Sequence, residues 1–194
     1  MNYLAHIALS GDNTDVLIGN FIGDFIKGDD FENYPKDLKK GMLLHRAIDS
    51  FTDSHPLTIQ SKRRFYKKFP KVGGIITDIV YDYFLCQHWN KFYTIKLDDF
   101  IKQTYQTLEL NKSKFPKEME YLYQHLTTND WFQRYKTQEG TALSLTQIGK
   151  RMNYSKDLSL SFNIVNDNID AFYHEFDTFY LELKDFCKHF IAES

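Results

Sequence analysis

Hydrophobic residues recur along this chain at steps of three and four positions, which is the spacing of one face of an α-helix. The clearest example is NTDVLIGNFIGDFIKG, residues 13–28, where Asn13 or Thr14 would cap the helix and Gly28 would end it. Its apolar positions are Leu17, Ile18, Phe21, Ile22 and Phe25. The segment therefore predicts an amphipathic helix with one buried face.

The same period predicts helices in most of the remaining chain. The second helix should begin near Pro35 and end near Ser54, because Pro56 disfavours helical geometry at His55. Further helices are predicted at 57–69, 72–89, 97–110, 116–127, 129–136, 141–152 and 157–190. The run NIVNDNID lowers helix propensity, so the last helix should break near 166–168. Since no segment shows a strong alternating pattern, we predict an all-α fold in a single compact domain, 1–194.

Composition and charge argue against several classes of protein, namely nucleic-acid-binding, membrane-spanning and secreted proteins. The chain has 194 residues with 24 Lys+Arg and 26 Asp+Glu, so its net charge of −2 predicts no nucleic-acid partner. No apolar run approaches the roughly 18 residues that a membrane span requires, and the first residues lack the pattern of a secretory signal. Two cysteines make no disulfide framework, so we predict a cytoplasmic protein without membrane association.

The second predicted helix carries polar residues unusually close to its apolar side. In LLHRAIDSFTDSHP, residues 43–56, the side chains of His45, Asp49 and Asp53 are spaced by four and form one stripe along the helix. Leu44 and Ile48 belong to the face that should be buried. The position of the stripe raises the question of what a histidine and carboxylates do beside a hydrophobic core.

Other polar residues are stranded on apolar segments in the same way, namely His6, Asp24, Asp78, Asp82 and His88. A buried carboxylate is costly unless it is paired, protonated or bound to a cation. If these segments packed together, they would form a mixed His/Asp pocket, which suits Mn²⁺, Fe²⁺ or Zn²⁺ better than Ca²⁺. The pattern is compatible with the metal site of a phosphohydrolase.

A purely structural interpretation of the same residues stays open at this point. A single His or Asp on a helix is most often solvated or satisfied by neighbours. Asp53 is able to pair with Arg63 or Arg64, and His88 with Trp89 is able to form an aromatic cluster at a helix end. A structural role is the simpler interpretation for the remaining histidines, which are His55, His125, His174 and His189.

Five segments in order resemble the bacterial acyl carrier protein phosphodiesterase family: MNYLAH, GNFIGDFIKG, GMLLHRAIDSFTDSHP, DIVYDYFLCQHW and NDWFQRY, within residues 1–136. The resemblance implies hydrolysis of the phosphodiester in holo-acyl carrier protein, giving the apo-protein and free 4′-phosphopantetheine. It also implies a divergent HD-domain-like helical fold, a metal-dependent mechanism with Mn²⁺ as the favoured ion, and a place in fatty acid biosynthesis and lipid metabolism.

The resemblance also implies roles for particular residues. The implied metal ligands are Asp24, His45, Asp49 and Asp82. Three further residues are expected to act on the substrate. Arg46 would hold a phosphate oxygen, and Asp78 or His6 would manage the proton.

Two features of the chain depart from the family and superfamily pattern. The adjacent His-Asp doublet of HD-domain proteins is absent, so His45 and Asp49 would have to take its place. The family often has DHFL where this chain has DYFL, which puts Tyr83 at a position where relatives carry histidine.

A basic run, SKRRFYKKFPK, directly follows the helix that carries the stripe. Its cations are Lys62, Arg63, Arg64, Lys67, Lys68 and Lys71. Since acyl carrier proteins are small and strongly acidic, the first five of these residues are predicted to dock the substrate protein. The alternative is an ordinary solvated helix face.

Two rival functions share most of these features. A metal-dependent phosphohydrolase acting on a nucleotide or another small phosphoester would need the metal pocket but no protein-docking surface. A non-catalytic helical protein that binds the carrier protein would need the basic helix but not the metal ligands.

Overall fold

The computed structural model describes residues 1–193, and all of the regular secondary structure in that range is helical. The α-helices are α1 Tyr3–Ala8, α2 Thr14–Ile22, α3 Lys36–Ser54, α4 Pro56–Tyr66, α5 Gly73–Gln87, α6 Trp89–Phe92, α7 Leu97–Leu110, α8 Glu120–Thr128, α9 Trp131–Arg134, α10 Gln138–Arg151, α11 Phe162–Asp167 and α12 Ile169–Glu193. Short 3₁₀ turns lie between several of them. The predicted all-α fold is confirmed; Ser194, the last residue of the predicted domain, lies outside the described residues.

The helix predicted from Asn13 or Thr14 to Gly28 ends earlier than its apolar pattern suggests. Asn13 caps α2 as predicted, since its side chain accepts hydrogen bonds from the backbone of Asp15 and Val16. The helix ends at Ile22 and tightens into a 3₁₀ turn at Gly23–Phe25. A Cβ atom at Gly23 would lie 2.5 Å from Cγ of His45, so this turn passes directly over the α3 histidine. The tighter turn brings the side chain of Asp24 next to His45.

Helices α2 and α3 pack against each other at two glycines. A Cβ atom at Gly19 would overlap the carbonyl oxygen of Leu38, and one at Gly41 would overlap the carbonyl oxygen of Val16. The backbones approach closely because neither position carries a side chain. This contact fixes the distance between Asn20 on α2 and His45 on α3, on which the site depends.

Helices α5 and α12 together form a hydrophobic wall made mainly of aromatic rings. Tyr81 and Phe84 of α5 pack against Phe176 and Phe179 of α12 with ring centroids 5.3–5.9 Å apart. The predicted break in the last helix is confirmed, since α11 ends at Asp167 and α12 begins at Ile169. The buried side chains form one cluster that extends from the first residues to α12. Across residues 1–193, no helix combines the length and the apolar character needed to cross a membrane.

Candidate functional site

An open cavity of about 370 Å³ lies where α1, α3, α5, α10 and the 3₁₀ turn after α2 meet. Its lining includes two histidines and five charged side chains, namely His6, His45, Asp24, Asp49, Asp53, Asp78 and Arg151. Isoleucines of α5 and α10 line another part of the wall. The two histidines are buried, whereas the carboxylates are partly exposed to the cavity. The structure thus brings together most of the polar residues that the sequence singled out.

The two histidines of the pocket are held in one orientation by a single buried residue, Asn20. Their rings stack with centroids 4.2 Å apart. Nδ1 of His45 lies 2.8 Å from the backbone oxygen of Asn20, and Nδ1 of His6 lies 2.9 Å from its side-chain oxygen. The Asn20 amide group donates to the carbonyl of His6 and to Ser10 Oγ, so the side-chain oxygen must accept from His6. Both Nδ1 atoms carry the proton, and both Nε2 atoms face the cavity.

Two carboxylates meet the histidine Nε2 atoms. Asp49 lies one turn after His45 on α3, and its two oxygens are 3.2 Å from Nε2 of His6 and 3.3 Å from Nε2 of His45. Asp24, in the 3₁₀ turn, places an oxygen 3.1 Å from Nε2 of His45. The other oxygen of Asp24 accepts a hydrogen bond from the hydroxyl of Tyr3. Four side chains from three segments therefore converge on one small volume.

The electrostatics of this group are strongly coupled. Burial lowers the pKa of His45, but hydrogen bonds and charge interactions with Asp24 and Asp49 outweigh it and raise that pKa to about 9. Burial and the neighbouring His45 lower the pKa of His6. Burial raises the pKa of Asp49, but its interactions with His45 and His6 outweigh the effect of burial, so the pKa of that carboxyl lies below its usual value. Asp49 and His45 are therefore a charged pair in the absence of other ligands.

The donor set fits a divalent cation. Since Nδ1 of His6 donates to Asn20, its neutral ring directs a lone pair at an Asp49 oxygen 3.2 Å away, and two acceptors face each other. A proton or a cation must lie between them. Ligand atoms about 2.1 Å from one ion are separated by about 3.0–3.4 Å. Each histidine–carboxylate pair here is 3.1–3.3 Å apart, and the ligand atoms of His6, His45 and Asp49 all lie within 4.8 Å of one another. His6, His45 and Asp49 form the one group of three possible ligands within residues 1–193.

Asp82, which was expected to be a fourth ligand, lies outside this group. It is fully buried on α5, and one of its oxygens accepts a hydrogen bond from the backbone N–H of Leu4 at the start of α1. Its other oxygen has no partner among residues 1–193. Burial raises its pKa to about 7. The structure places Asp82 beneath the helix that carries His6, where it supports α1.

The structure does not bring Arg46 to the cavity. Its guanidinium donates to the backbone oxygens of Ile26 and Gly28 and lies over the ring of Phe31. Arg46 therefore holds the segment after the 3₁₀ turn. The cation that does line the cavity is Arg151, at the end of α10. Arg151 was not predicted from the sequence, because one basic residue in the last turn of a helix is common and the five segments that resemble the family end before residue 136.

Asp78 and Asp53 both line the cavity, and each makes an ionic contact with a different cationic group. The carboxylate of Asp78 lies 3.1 Å from the amino group of Met1. Asp53 pairs with Lys62 at 2.5 Å rather than with Arg63 or Arg64.

Tyr83 and His88, two further residues of α5 and its C-terminal end, lie outside the cavity lining. The replacement of histidine by Tyr83 in DYFL therefore does not affect the histidine–aspartate group. His88 stacks on Tyr173 with centroids 3.9 Å apart, whereas Trp89 packs on Tyr93 and Phe100, so the two residues belong to separate aromatic contacts.

The basic run divides into two sets of residues. Lys62 is nearly buried on Asp53, and Arg64 makes two hydrogen bonds of 2.5 Å to the buried Glu175 of α12. These two residues tie helices together. Arg63, Lys67 and Lys68 are exposed, and within residues 1–193 none of them has an ion pair.

Comparison with known proteins identifies the family. The family model described as acyl carrier protein phosphodiesterase matches residues 1–183. A protein of that name from Photorhabdus laumondii is 32% identical over 181 residues, covering 93% of this chain and 89% of the relative. The relative of the same name from Pectobacterium atrosepticum is 31% identical, over 91% of this chain and 90% of its own. No solved structure matches the chain, so its likeness to HD-domain proteins stays a prediction. The match extends well beyond the five segments at 1–136, and the chain belongs to the acyl carrier protein phosphodiesterase family.

Proposed function

We propose that this chain hydrolyses the phosphodiester that links 4′-phosphopantetheine to a serine of holo-acyl carrier protein. The products would be apo-acyl carrier protein and 4′-phosphopantetheine. Family membership supports the substrate class. The observation that carries the chemistry is the convergence of His6, His45 and Asp49 at the wall of an open cavity.

His6, His45 and Asp49, with Asp24 beside them, would hold a divalent ion. Two imidazole nitrogens and carboxylate oxygens suit Mn²⁺, which is the ion we propose. When bound, such an ion would polarise a phosphoryl oxygen and lower the pKa of a water molecule. Asn20 prepares the site by keeping the proton on both Nδ1 atoms, because only the unprotonated Nε2 atom is able to act as a ligand.

The remaining polar residues of the cavity would act on the substrate. Arg151 is exposed at the cavity, and its guanidinium would neutralise the phosphodiester. In the reaction, a bond forms between phosphorus and the water oxygen, and the bond from phosphorus to the serine oxygen breaks. Asp78, a cavity-lining carboxylate, would pass a proton from the water toward the serine oxygen. His6 is then a ligand and not a proton carrier.

The test combines metal analysis with mass spectrometry of holo-carrier protein after incubation with the enzyme. Chelation should inactivate the wild-type protein, and Mn²⁺ should restore activity. Asp49→Asn should lose bound metal and lower turnover by at least about 100-fold. The substitution removes the negative charge of a ligand but keeps nearly the same side-chain shape. Asp82→Asn is the matched control, since it makes the same change at a carboxylate outside the group and should keep its metal. Full turnover of the wild-type protein in chelator would refute the metal-dependent mechanism.

A further inference from the structure

Two segments from distant parts of the sequence meet beside the cavity. One is the end of α4 and the turn after it, 63–71, and the other is the end of α10 and the loop after it, 150–156. The hydroxyl of Tyr154 donates to the backbone oxygen of Pro70 at 3.0 Å, and Nζ of Lys156 donates to that of Lys68 at 2.8 Å. These hydrogen bonds hold the two segments side by side as one surface.

The joined surface is basic. Its exposed cations are Arg63, Lys67, Lys68, Lys71, Lys150, Arg151 and Lys156, which we call the rim surface. Among residues 1–193, none of these seven forms an ion pair. The neighbouring carboxylates are already engaged: Asp53 pairs with Lys62, and Asp157 accepts hydrogen bonds from Thr146 and Ser159. Seven of the chain's 24 cations are thus concentrated here, in a protein whose net charge is −2.

The rim surface begins at the mouth of the cavity. Arg151 and the partly exposed Met152 line the cavity itself. On the opposite segment, Lys62 links α4 to Asp53 in the cavity wall. A second exposed apolar side chain, Tyr66, lies within the α4 segment. A partner held on this surface would therefore have its bound group next to the histidine–aspartate cluster.

We propose that the rim surface docks the acidic carrier protein and that its 150–156 half takes part in docking together with the α4 half. This inference rests on the proposed function for the identity of the partner. The charges are complementary, and complementary charge accelerates encounter and fixes orientation. Lys62 and Arg64, which were predicted to dock the substrate, have no part in the surface because their charges are engaged by Asp53 and Glu175.

The deciding variant is K150E/K156E, which alters only the α10 half. At low salt it should lower kcat/KM on holo-acyl carrier protein by about 10-fold or more and reduce its dependence on salt. Turnover of bis-p-nitrophenyl phosphate should stay within about twofold of wild type, because that substrate needs no docking surface. The matched control is K102E/K117E, which makes the same charge change at exposed lysines outside the rim surface. K150E alone guards against misfolding, since Lys150 has no side-chain hydrogen bond within residues 1–193.

Direct binding of fluorescently labelled holo-carrier protein separates this inference from the proposed function. If wild type turns over the carrier protein and K150E/K156E has the same kcat/KM at every salt concentration, the rim surface is refuted while the proposed function stands. If wild type binds the carrier protein without hydrolysing it and K150E/K156E loses binding, the surface stands and the function fails. Equal loss in K150E/K156E and K102E/K117E would indicate a general charge effect and would also refute the rim surface.

Discussion

The cavity pair His45 and Asp49 on α3 and the surface pair Asp185 and His189 on α12 have the same four-residue spacing. Their nitrogen–oxygen distances are similar, at 3.3 Å and 3.5 Å. The environments differ, since the side chain of His45 is 5% exposed and that of His189 is 65% exposed. A four-residue His/Asp spacing is therefore not sufficient to define a site.

The difference lies in the residues that other helices bring to each pair. His45 is oriented by Asn20 of α2 and faces a second carboxylate, Asp24, while the ring of His6 stacks on it. His189 has its Nδ1 next to the backbone oxygen of Asp185 in its own helix. In the first pair the histidine is buried, so water screens its charge interactions less. In the second pair, water screens them.

Replacing the histidine of each pair gives the largest expected contrast. His45→Gln should abolish metal binding and lower hydrolysis of holo-carrier protein by at least about 100-fold, because a ligand nitrogen is lost. His189→Gln should leave both unchanged within about twofold, since exposed pairs of this kind contribute little. Metal content of the purified proteins and mass spectrometry of the carrier protein are the measurements. Equal metal content in the two variants would contradict the proposed site.

Removing the support behind the cavity pair should have an intermediate effect. Asn20→Ala deletes the acceptor for Nδ1 of His6 but leaves the backbone oxygen that binds His45. Metal affinity should fall about 10- to 100-fold, because His6 loses its fixed tautomer. The free energy of unfolding should fall by about 1–3 kcal/mol, since buried groups lose hydrogen bonds. Asn168→Ala, at an exposed helix end, is the control; equal metal affinities in the two variants would remove Asn20 from the site.

The sequence predicted the helices, which depend on the periodicity of apolar residues. It did not predict the positions of side chains that depend on contacts between helices. The helices and the break before Ile169 follow from apolar spacing and propensity, which are local properties. His6, Asp24, His45 and Asp49 were singled out because polar residues on apolar segments need partners, and the structure brings them together. Nothing in the sequence shows that Asn20 lies behind both histidines, since that contact depends on the close packing at Gly19 and Gly41.

Three residues that were predicted to belong to the metal site or the docking surface lie outside them for the same physical reason. Asp82 is a carboxylate on an apolar helix like Asp49, but it accepts a hydrogen bond from the backbone N–H of Leu4 in α1 and does not line the cavity. Lys62 and Arg64 follow the helix period of the basic run, yet their partners Asp53 and Glu175 belong to other helices. Sequence spacing identifies which residues share a face of one helix. It does not identify which neighbouring helix supplies their partners.

The cavity pair should also give the ion-free protein a pH dependence that the surface pair does not. The pKa of His45 is raised from 6.5 to about 9, so its contribution to stability is complete below pH 6.5 and is lost as pH rises toward about 9. We expect a decrease of about 1–3 kcal/mol in the free energy of unfolding over this window. Denaturant unfolding in chelator at pH 7.5 and pH 9 measures it, because the buried Asp82, whose pKa is about 7, also ionises between pH 6 and pH 7.5. His45→Gln should remove most of the decrease and His189→Gln none; a wild-type decrease that persists in His45→Gln would refute the assignment.

The smallest expected effect concerns Arg46, which follows His45 in sequence but points away from the cavity. Arg46→Gln should lower the free energy of unfolding by about 1 kcal/mol, because the backbone oxygens of Ile26 and Gly28 lose a charged donor. Its kcat/KM on holo-carrier protein should stay within about threefold of wild type. Arg151→Gln, the matched change at the cavity, should instead raise KM by about 10-fold with little change in stability. Urea unfolding and steady-state kinetics of the two variants distinguish these roles. A raised KM in Arg46→Gln at unchanged stability would restore Arg46 as the phosphate-binding residue that the family resemblance implied.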